Sequence, residues 1–290
     1  MYRVDAPVMR RAKQLLPLPV KRVAGGALRG FGMATSPLRG LPDYFLIGSK
    51  RCGSTSLFAY LLEHPDVVPL FPAAAGKKGT HYFDRNSARS MAWYRSHFPV
   101  RARRKSSGEA STYYFCHPYS AERAAAVAPG AKVIALLREP AERAFSQYRD
   151  EVKNGHEGLD FARALAAEPA RLEPELARMR TDPHYYSFIH EHLAYLSWGR
   201  YAEHLTRWLE VYPADQVLVL RSEDMFLRPD EVYRQVTSFL GLRPFSPTFR
   251  RYNNAPAEPS TDATMAWLRD YYEPHNRRLS ELLPQAPTWT

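Results

Sequence analysis

The chain is poor in cysteine, has no long apolar run and carries fewer acids than bases. Its 290 residues include two cysteines, Cys52 and Cys116. Two are too few for the disulfide framework of a small secreted protein, and neither sits in a metal-binding spacing. A reduced, cytoplasmic compartment is therefore expected. No run approaches the roughly 20 apolar residues that cross a bilayer. The N-terminus is basic (Arg3, Arg10, Arg11, Lys13, Lys21, Arg22), but prolines at 17 and 19 interrupt its apolar stretch. It does not read as a signal peptide. Two readings stay open: a disordered arm, or a weak membrane-peripheral contact using Leu15, Leu16 and Leu18 beside the cations. Acids number 30 against 40 Lys and Arg, a net charge of +10. That excess favours anionic partners such as nucleotides, nucleic acids, acidic glycans or acidic lipid surfaces.

Residues 1–40 scatter Gly, Pro and Arg and are expected to form an extension. Residues 41–290 are expected to form one globular domain without repeats or linkers. Tyr44–Ile47 is a continuous apolar run, as in a strand buried on both faces, and Lys132–Leu137 (KVIALL) is expected to be a second buried strand. A third strand is expected over Gln216–Leu220. Helices are expected over Ser54–Glu63, 140–153, 199–211, Asp230–Leu240 and Asp262–Leu283, with Pro140 opening the second and Gly241 stopping the fourth. Buried-type strands alternating with amphipathic helices predict an α/β fold. Its central sheet should be mainly parallel and flanked by helices, in three layers as in P-loop proteins. Ligands of such sheets bind at the carboxyl ends of the strands.

The segment after the first strand reads Gly48-Ser-Lys-Arg-Cys-Gly53-Ser-Thr-Ser56. Its two glycines have the spacing of the phosphate-cradling loop G-x-x-x-x-G-K-[ST]. The lysine that should follow the second glycine is missing, however, and the cations come earlier, as Lys50 and Arg51. The glycines allow a tight approach to a ligand, the helix start supplies N–H groups, and Ser54, Thr55 and Ser56 add hydroxyls. On the residues alone two readings stay open: a generic glycine-containing strand–helix turn, or a cradle for an anion other than a Mg-bound triphosphate. A second anchor is Arg138, which ends a strand, with Ser146 two turns into the next helix. Together they can clamp a phosphate. On spacing alone, pairing of Arg138 with Glu142 is the simpler reading. His184, His190 and His192 have no supporting acidic or cysteine spacing, so no metal is assigned to them. Tyr185, Tyr186 and Trp198 suit either a sugar-stacking cleft or the core.

In order along the chain, "GSKRCGSTSL", "HYFD", "WYRSHFP", "GEASTYYF", "LLREPAERAFSQY", "YAEHLTRWLEVYPADQVLVLRSEDM" and "PHNRRL" resemble the PAPS-dependent sulfotransferases. The likeness is to their glycan (heparan sulfate-type) branch and covers about residues 42–283. PAPS is 3′-phosphoadenosine 5′-phosphosulfate. The resemblance implies PAPS as co-substrate, no metal, and no nucleic-acid partner. It implies that Lys50, Arg51, Cys52, Gly53, Ser54, Thr55 and Ser56 hold the 5′-phosphosulfate and that Arg138 and Ser146 hold the 3′-phosphate. Arg51 occupies the position of the family's loop lysine. An arginine can stabilise the leaving group's charge but cannot donate a proton; Lys50 next to it can share the role. The family's carboxylate base falls at Gly79, so it is absent here. His81 is the leading candidate base, with Asp84 to orient it and Glu109 as a second candidate. Lys78, with Lys77, is placed to contact an anionic acceptor or the transferring sulfuryl. The family's basic loop near the last helix reads "RYNNAPAEPSTD" (251–262), with Arg250 and Arg251 as substitute charges. The implied acceptor is a hydroxyl, in preference to an amine, of a carbohydrate, glycolipid or small molecule. The rivals are a P-loop kinase or NTPase and a non-catalytic polyanion-binding protein.

Overall fold

A computed structural model of the chain describes residues 18–73, 76–101, 105–250, 262–283 and 289. Its sheet has four strands: β1 (Tyr44–Leu46), β2 (Gly108–Glu109), β3 (Lys132–Leu137) and β4 (Val217–Arg221). Their order is β2-β1-β3-β4, and every neighbouring pair is parallel. The expected α/β architecture with a parallel central sheet is therefore present.

The alternation of side chains along each strand builds two cores, one on each face. Phe45, Val133, Ala135 and Leu137 face a layer that includes Tyr94, Tyr114, Trp198, Leu205 and Trp208. Tyr44, Leu46, Ile134 and Leu136 face Leu57, Phe58, Leu61, Val232, Tyr233 and Val236. The second face is covered by α1 (Ser54–Glu63) and α2 (Pro229–Leu240). On the first face lie α3 (Ser120–Val127) and α4 (Tyr201–Leu209). A third cluster packs α5 (Pro140–Lys153) against α6 (Phe161–Thr181) and α7 (Asp262–Leu282), through Ala144, Leu165, Met265 and Leu268. The sequence reading left α6 unassigned. Pro169 and Pro174 lie inside it, and proline is a helix breaker in any local reading.

The amino-terminal stretch departs from the expected extension. Leu18–Ala34 is helical, and Arg29 donates to Ser96 Oγ at 2.9 Å. Arg39 is buried, donates to the Phe98 carbonyl at 2.5 Å and lies 4.1 Å from the centre of the Phe71 ring. Packed structure thus begins ahead of residue 40. Arg3, Arg10, Arg11, Lys13, Leu15 and Leu16 lie outside the described residues. Among the described residues no helix is long and apolar enough to cross a membrane.

The backbone of β3 is approached closely where β1 runs out. Ile47 N donates to the Ile134 carbonyl at 2.9 Å and Ser49 N to the Leu136 carbonyl at 3.1 Å. A Cβ on Gly48 would sit 2.4 Å from Leu136 N. Backbone cannot yield as a flexible side chain can, so Gly48→Ala should destabilise the fold by at least about 1–3 kcal/mol. Urea denaturation will show this as a lowered midpoint with an unchanged slope.

Candidate active site

The turn from β1 to α1 is set by two left-handed residues. Arg51 has φ 71° and Gly53 has φ 88°. Glycine adopts such a backbone freely, whereas arginine does so at a cost of about 1–3 kcal/mol. Cys52 N closes the turn on the Ser49 carbonyl at 3.3 Å. Gly53 caps α1 and brings no side-chain acceptor. The first turn therefore keeps its partial positive charge of about +0.5.

Three cations surround this helix start. Lys78 Nζ lies 3.3 Å from Ser54 Oγ and 3.2 Å from Thr55 Oγ1. Burial, with the nearby Arg51 charge, lowers its pKa to about 8. Arg51 Nε donates to Ser146 Oγ at 3.2 Å, and its guanidinium pairs with Asp150 at 3.2 Å. Lys50 turns the other way, to the buried Glu151 at 2.5 Å and to His192 Nδ1 at 3.3 Å. Loop and α5 thus meet directly. The two segments picked out separately, 48–56 and 138–146, touch through Arg51 and Ser146, because β1 and β3 are neighbours.

At the end of β3, Arg138 pairs with Glu142 at 3.2 Å, and both side chains are partly exposed. The simpler sequence reading of Arg138 is thus present. An exposed pair of this kind contributes about 0–1 kcal/mol, so an anion can displace it. Glu139 caps α5, accepting from Ala141 N at 3.1 Å and Glu142 N at 2.6 Å.

The acceptor-side candidates separate into two kinds. His81 is held with φ 53°. Its Nδ1 lies 2.9 Å from Asp84 Oδ2, which leaves Nε2 on the far side of the ring. Burial opposes the imidazolium, but the hydrogen bond and charge of Asp84 outweigh it and raise the pKa. Asp84 is itself buried and also accepts from Arg85 N. Asp84 is therefore an orienting residue and does not reach an acceptor. Glu109 corrects the sequence reading. It is fully buried and accepts from Thr80 N (2.7 Å), Thr80 Oγ1 (2.8 Å), Tyr94 OH (2.8 Å), Ser111 Oγ (3.0 Å) and Tyr114 OH (3.2 Å). Enclosed by five donors, it anchors the 78–81 strip and has no face for a substrate.

Gly79 explains the absent carboxylate. A Cβ there would lie 2.3 Å from Ser111 Oγ and 2.7 Å from the Ala110 carbonyl. Ala110 N also donates to the Lys78 carbonyl at 2.6 Å. The 78–81 strip is pressed onto 110–111 and has room for no side chain at 79.

Cys52 and Ser56 are buried. Desolvation pushes the Cys52 thiol up to about 12, so Cys52 offers a ligand its backbone at most. His184 and His190 are not part of a metal set: His184 Nδ1 meets Ser87 Oγ at 2.9 Å and His190 Nδ1 meets Tyr113 OH at 2.8 Å. Trp198 is core, stacked on Tyr113. Residues 251–261 lie outside the described residues, while the Arg250 carbonyl accepts from Tyr60 OH at 2.7 Å.

Sequence reasoning missed Glu151, which takes Lys50 and His192, and His156, which bonds Glu151 in turn. A signal was present. Arg143, Gln147 and Glu151 recur every four residues along α5 and are all buried. A polar stripe of helical period inside the protein requires partners.

A family profile described as "Sulfotransferase domain" matches residues 41–253. The human bifunctional heparan sulfate N-deacetylase/N-sulfotransferase 3 is 27% identical over 285 residues, 86% of this chain and 31% of that protein. Its Caenorhabditis elegans counterpart 1 is 28% identical over 217 residues, 74% of this chain and 24% of that protein. The chain thus spans under a third of the length of these curated relatives. The crystal structure of a sulfotransferase from Alicyclobacillus acidocaldarius superposes with a TM-score of 0.68 at 28% identity. That match covers 86% of this chain and 98% of the other.

The His81–Asp84 pair has a measurable signature. Charged His81 stabilises the fold fully below its unfolded-state pKa near 6.5. That contribution is lost as pH rises through the higher folded value. Asp84→Asn should lower the His81 pKa by removing the hydrogen bond and charge that raise it, and with it this pH-dependent stability. Ring-proton NMR titration of both proteins checks it.

Proposed function

The chain belongs to the sulfotransferase family, and we propose that it moves a sulfuryl group from PAPS to a hydroxyl or amine of a glycan-like acceptor. The observation that carries this reading is the contact of Arg51 with Ser146. It brings the glycine turn and the start of α5 side by side, within reach of a nucleotide with phosphates at both ends. The fit is supported by the glycine turn, by the uncapped start of α1 and by Arg51, Lys78 and Arg138. Bound PAPS supplies the sulfuryl group and a phosphate leaving group.

The residues of this chain divide the remaining work. Arg51, Lys78 and the α1 N-terminus stabilise negative charge as it grows on the leaving phosphate. Lys78, with a pKa lowered to about 8, also has a proton to give, which an arginine at 51 lacks. Arg138 exchanges Glu142 for the 3′-phosphate. His81 presents Nε2 to the acceptor, while Asp84 fixes the ring through Nδ1. The curated relatives bear the names of heparan sulfate N-sulfotransferases, which favours a glycan acceptor here. A kinase reading lacks the lysine after the second glycine, where this chain has Ser54.

Turnover of ³⁵S-labelled PAPS against a panel of glycans, glycolipids and small alcohols and amines tests the proposal. Arg138→Ala should weaken binding of adenosine 3′,5′-bisphosphate. His81→Ala should leave that affinity intact and lower kcat by about 10²–10⁴. The kinase rival predicts tighter binding of Mg-ATP than of the bisphosphate. A polyanion-binding protein predicts salt-sensitive affinity and no turnover. Full activity of His81→Ala would remove it as the base.

A further inference from the structure

Beside the cradle lies a group of side chains that the proposed reaction does not use. Glu151, His156 and His192 offer one carboxylate and two imidazoles whose ligand atoms all lie within 4.8 Å of one another. They come from α5, from the turn that follows it, and from the short helix Phe188–His192. His192 Nδ1 is 3.0 Å from both Glu151 oxygens, and His156 Nδ1 is 2.7 Å from Oε2.

His192 Nδ1 has three close polar neighbours: both Glu151 oxygens and, at 3.3 Å, Lys50 Nζ. Glu151 is buried and also takes Lys50 and His156. An ionised carboxylate only accepts and an ammonium only donates, so in this arrangement Lys50 and the imidazoles crowd one carboxylate with protons. A cation bearing no protons in place of the ammonium meets lone pairs from carboxylate and imidazole alike.

A second carboxylate stands behind His192. Glu191 is buried, pairs with Arg85 through Oε1 and interacts with Tyr186. Its Oε2 stands 3.9 Å from His192 Nε2. A proton on Nε2 faces that oxygen and leaves Nδ1 free to ligate, the direction an outer-shell carboxylate favours. Phe188 stacks on His192 and meets the edge of His156, so one side of the group is apolar. His156 is 36% exposed along its side chain and gives access from solvent.

We propose that Glu151, His156 and His192 bind one divalent transition-metal ion of the zinc class, and that Lys50 competes with the ion for Glu151. Two imidazoles and a carboxylate form a three-ligand zinc set with an open fourth position. Bonds of about 2.0–2.1 Å place tetrahedral ligand atoms about 3.3 Å apart. The present separations need to open by a few tenths of an ångström. Loading the site expels the Lys50 ammonium from Glu151 and frees it to turn toward the anion cradle.

The test is equilibrium binding of Zn²⁺ alone to the untagged full chain, with Co²⁺ absorption as a reporter of coordination. One equivalent should bind. His156→Ala, at an exposed position, and His192→Ala should each weaken binding at least tenfold with unchanged circular dichroism. Lys50→Met should tighten it, on the order of tenfold or more for removal of one adjacent positive charge. Absence of stoichiometric binding, or equal binding by the wild type and both histidine variants, overturns the site. Weaker binding by Lys50→Met overturns the competition. None of these readings depends on sulfuryl transfer.

Discussion

Parallel pairing of β1 with β3 is the constraint on which the site rests. It aligns two carboxyl ends, so the turn after Leu46 and the turn after Leu137 open on one edge. The pairing continues past the strand through Ile47 and Ser49 and brings Gly48 against the Leu136 backbone. Only a residue without a Cβ permits that approach. From there the chain has four residues before Gly53 in which to turn into α1. Arg51 accepts a left-handed backbone within that span. Its guanidinium faces α5, held between Ser146 and Asp150.

The interior of α5 is the second determinant. Arg143 is buried and donates to Gln147 at 2.6 Å and to the Tyr195 carbonyl; Gln147 donates to the His192 carbonyl at 2.9 Å. Glu151 continues the row and takes Lys50. Buried ions destabilise a protein when one partner is removed, so this row fixes α5 relative to the 192–195 segment and to the loop. It also explains why the two loop cations differ. Arg51 lies on the side of α5 that carries Ser146 and Asp150, and Lys50 lies on the histidine side.

The course of the 78–81 strip depends on one buried carboxylate. Glu109 gathers Thr80, Tyr94, Ser111 and Tyr114, and so holds 78–81 in a single course. That course presents Lys78 to the α1 N-terminus and His81 to Asp84. With Gly79 packed flat on Ala110 and Ser111, the strip has no place for a carboxylate of its own. Glu109 therefore acts structurally, although its residue type suggested a base.

Most of the sheet, and α1, α2, α4, α5 and α7, were legible in the sequence. Strand alternation, helix periodicity and glycine or proline punctuation are local and reach only a few residues. The same holds for the glycine spacing of the cradle. The partner of each charge was not legible. Lys50 meets a carboxylate 101 residues away, and Glu109 is enclosed by side chains from three segments. A carboxylate's chemistry follows from its burial and its donors, and those come from packing across the chain. The sequence by itself determined which elements form and which residues carry charge. The tertiary structure decided that Glu109 is an anchor, that Lys78 sits at the cradle and that Glu151 lies among histidines, because convergence of distant segments leaves no pattern in local spacing.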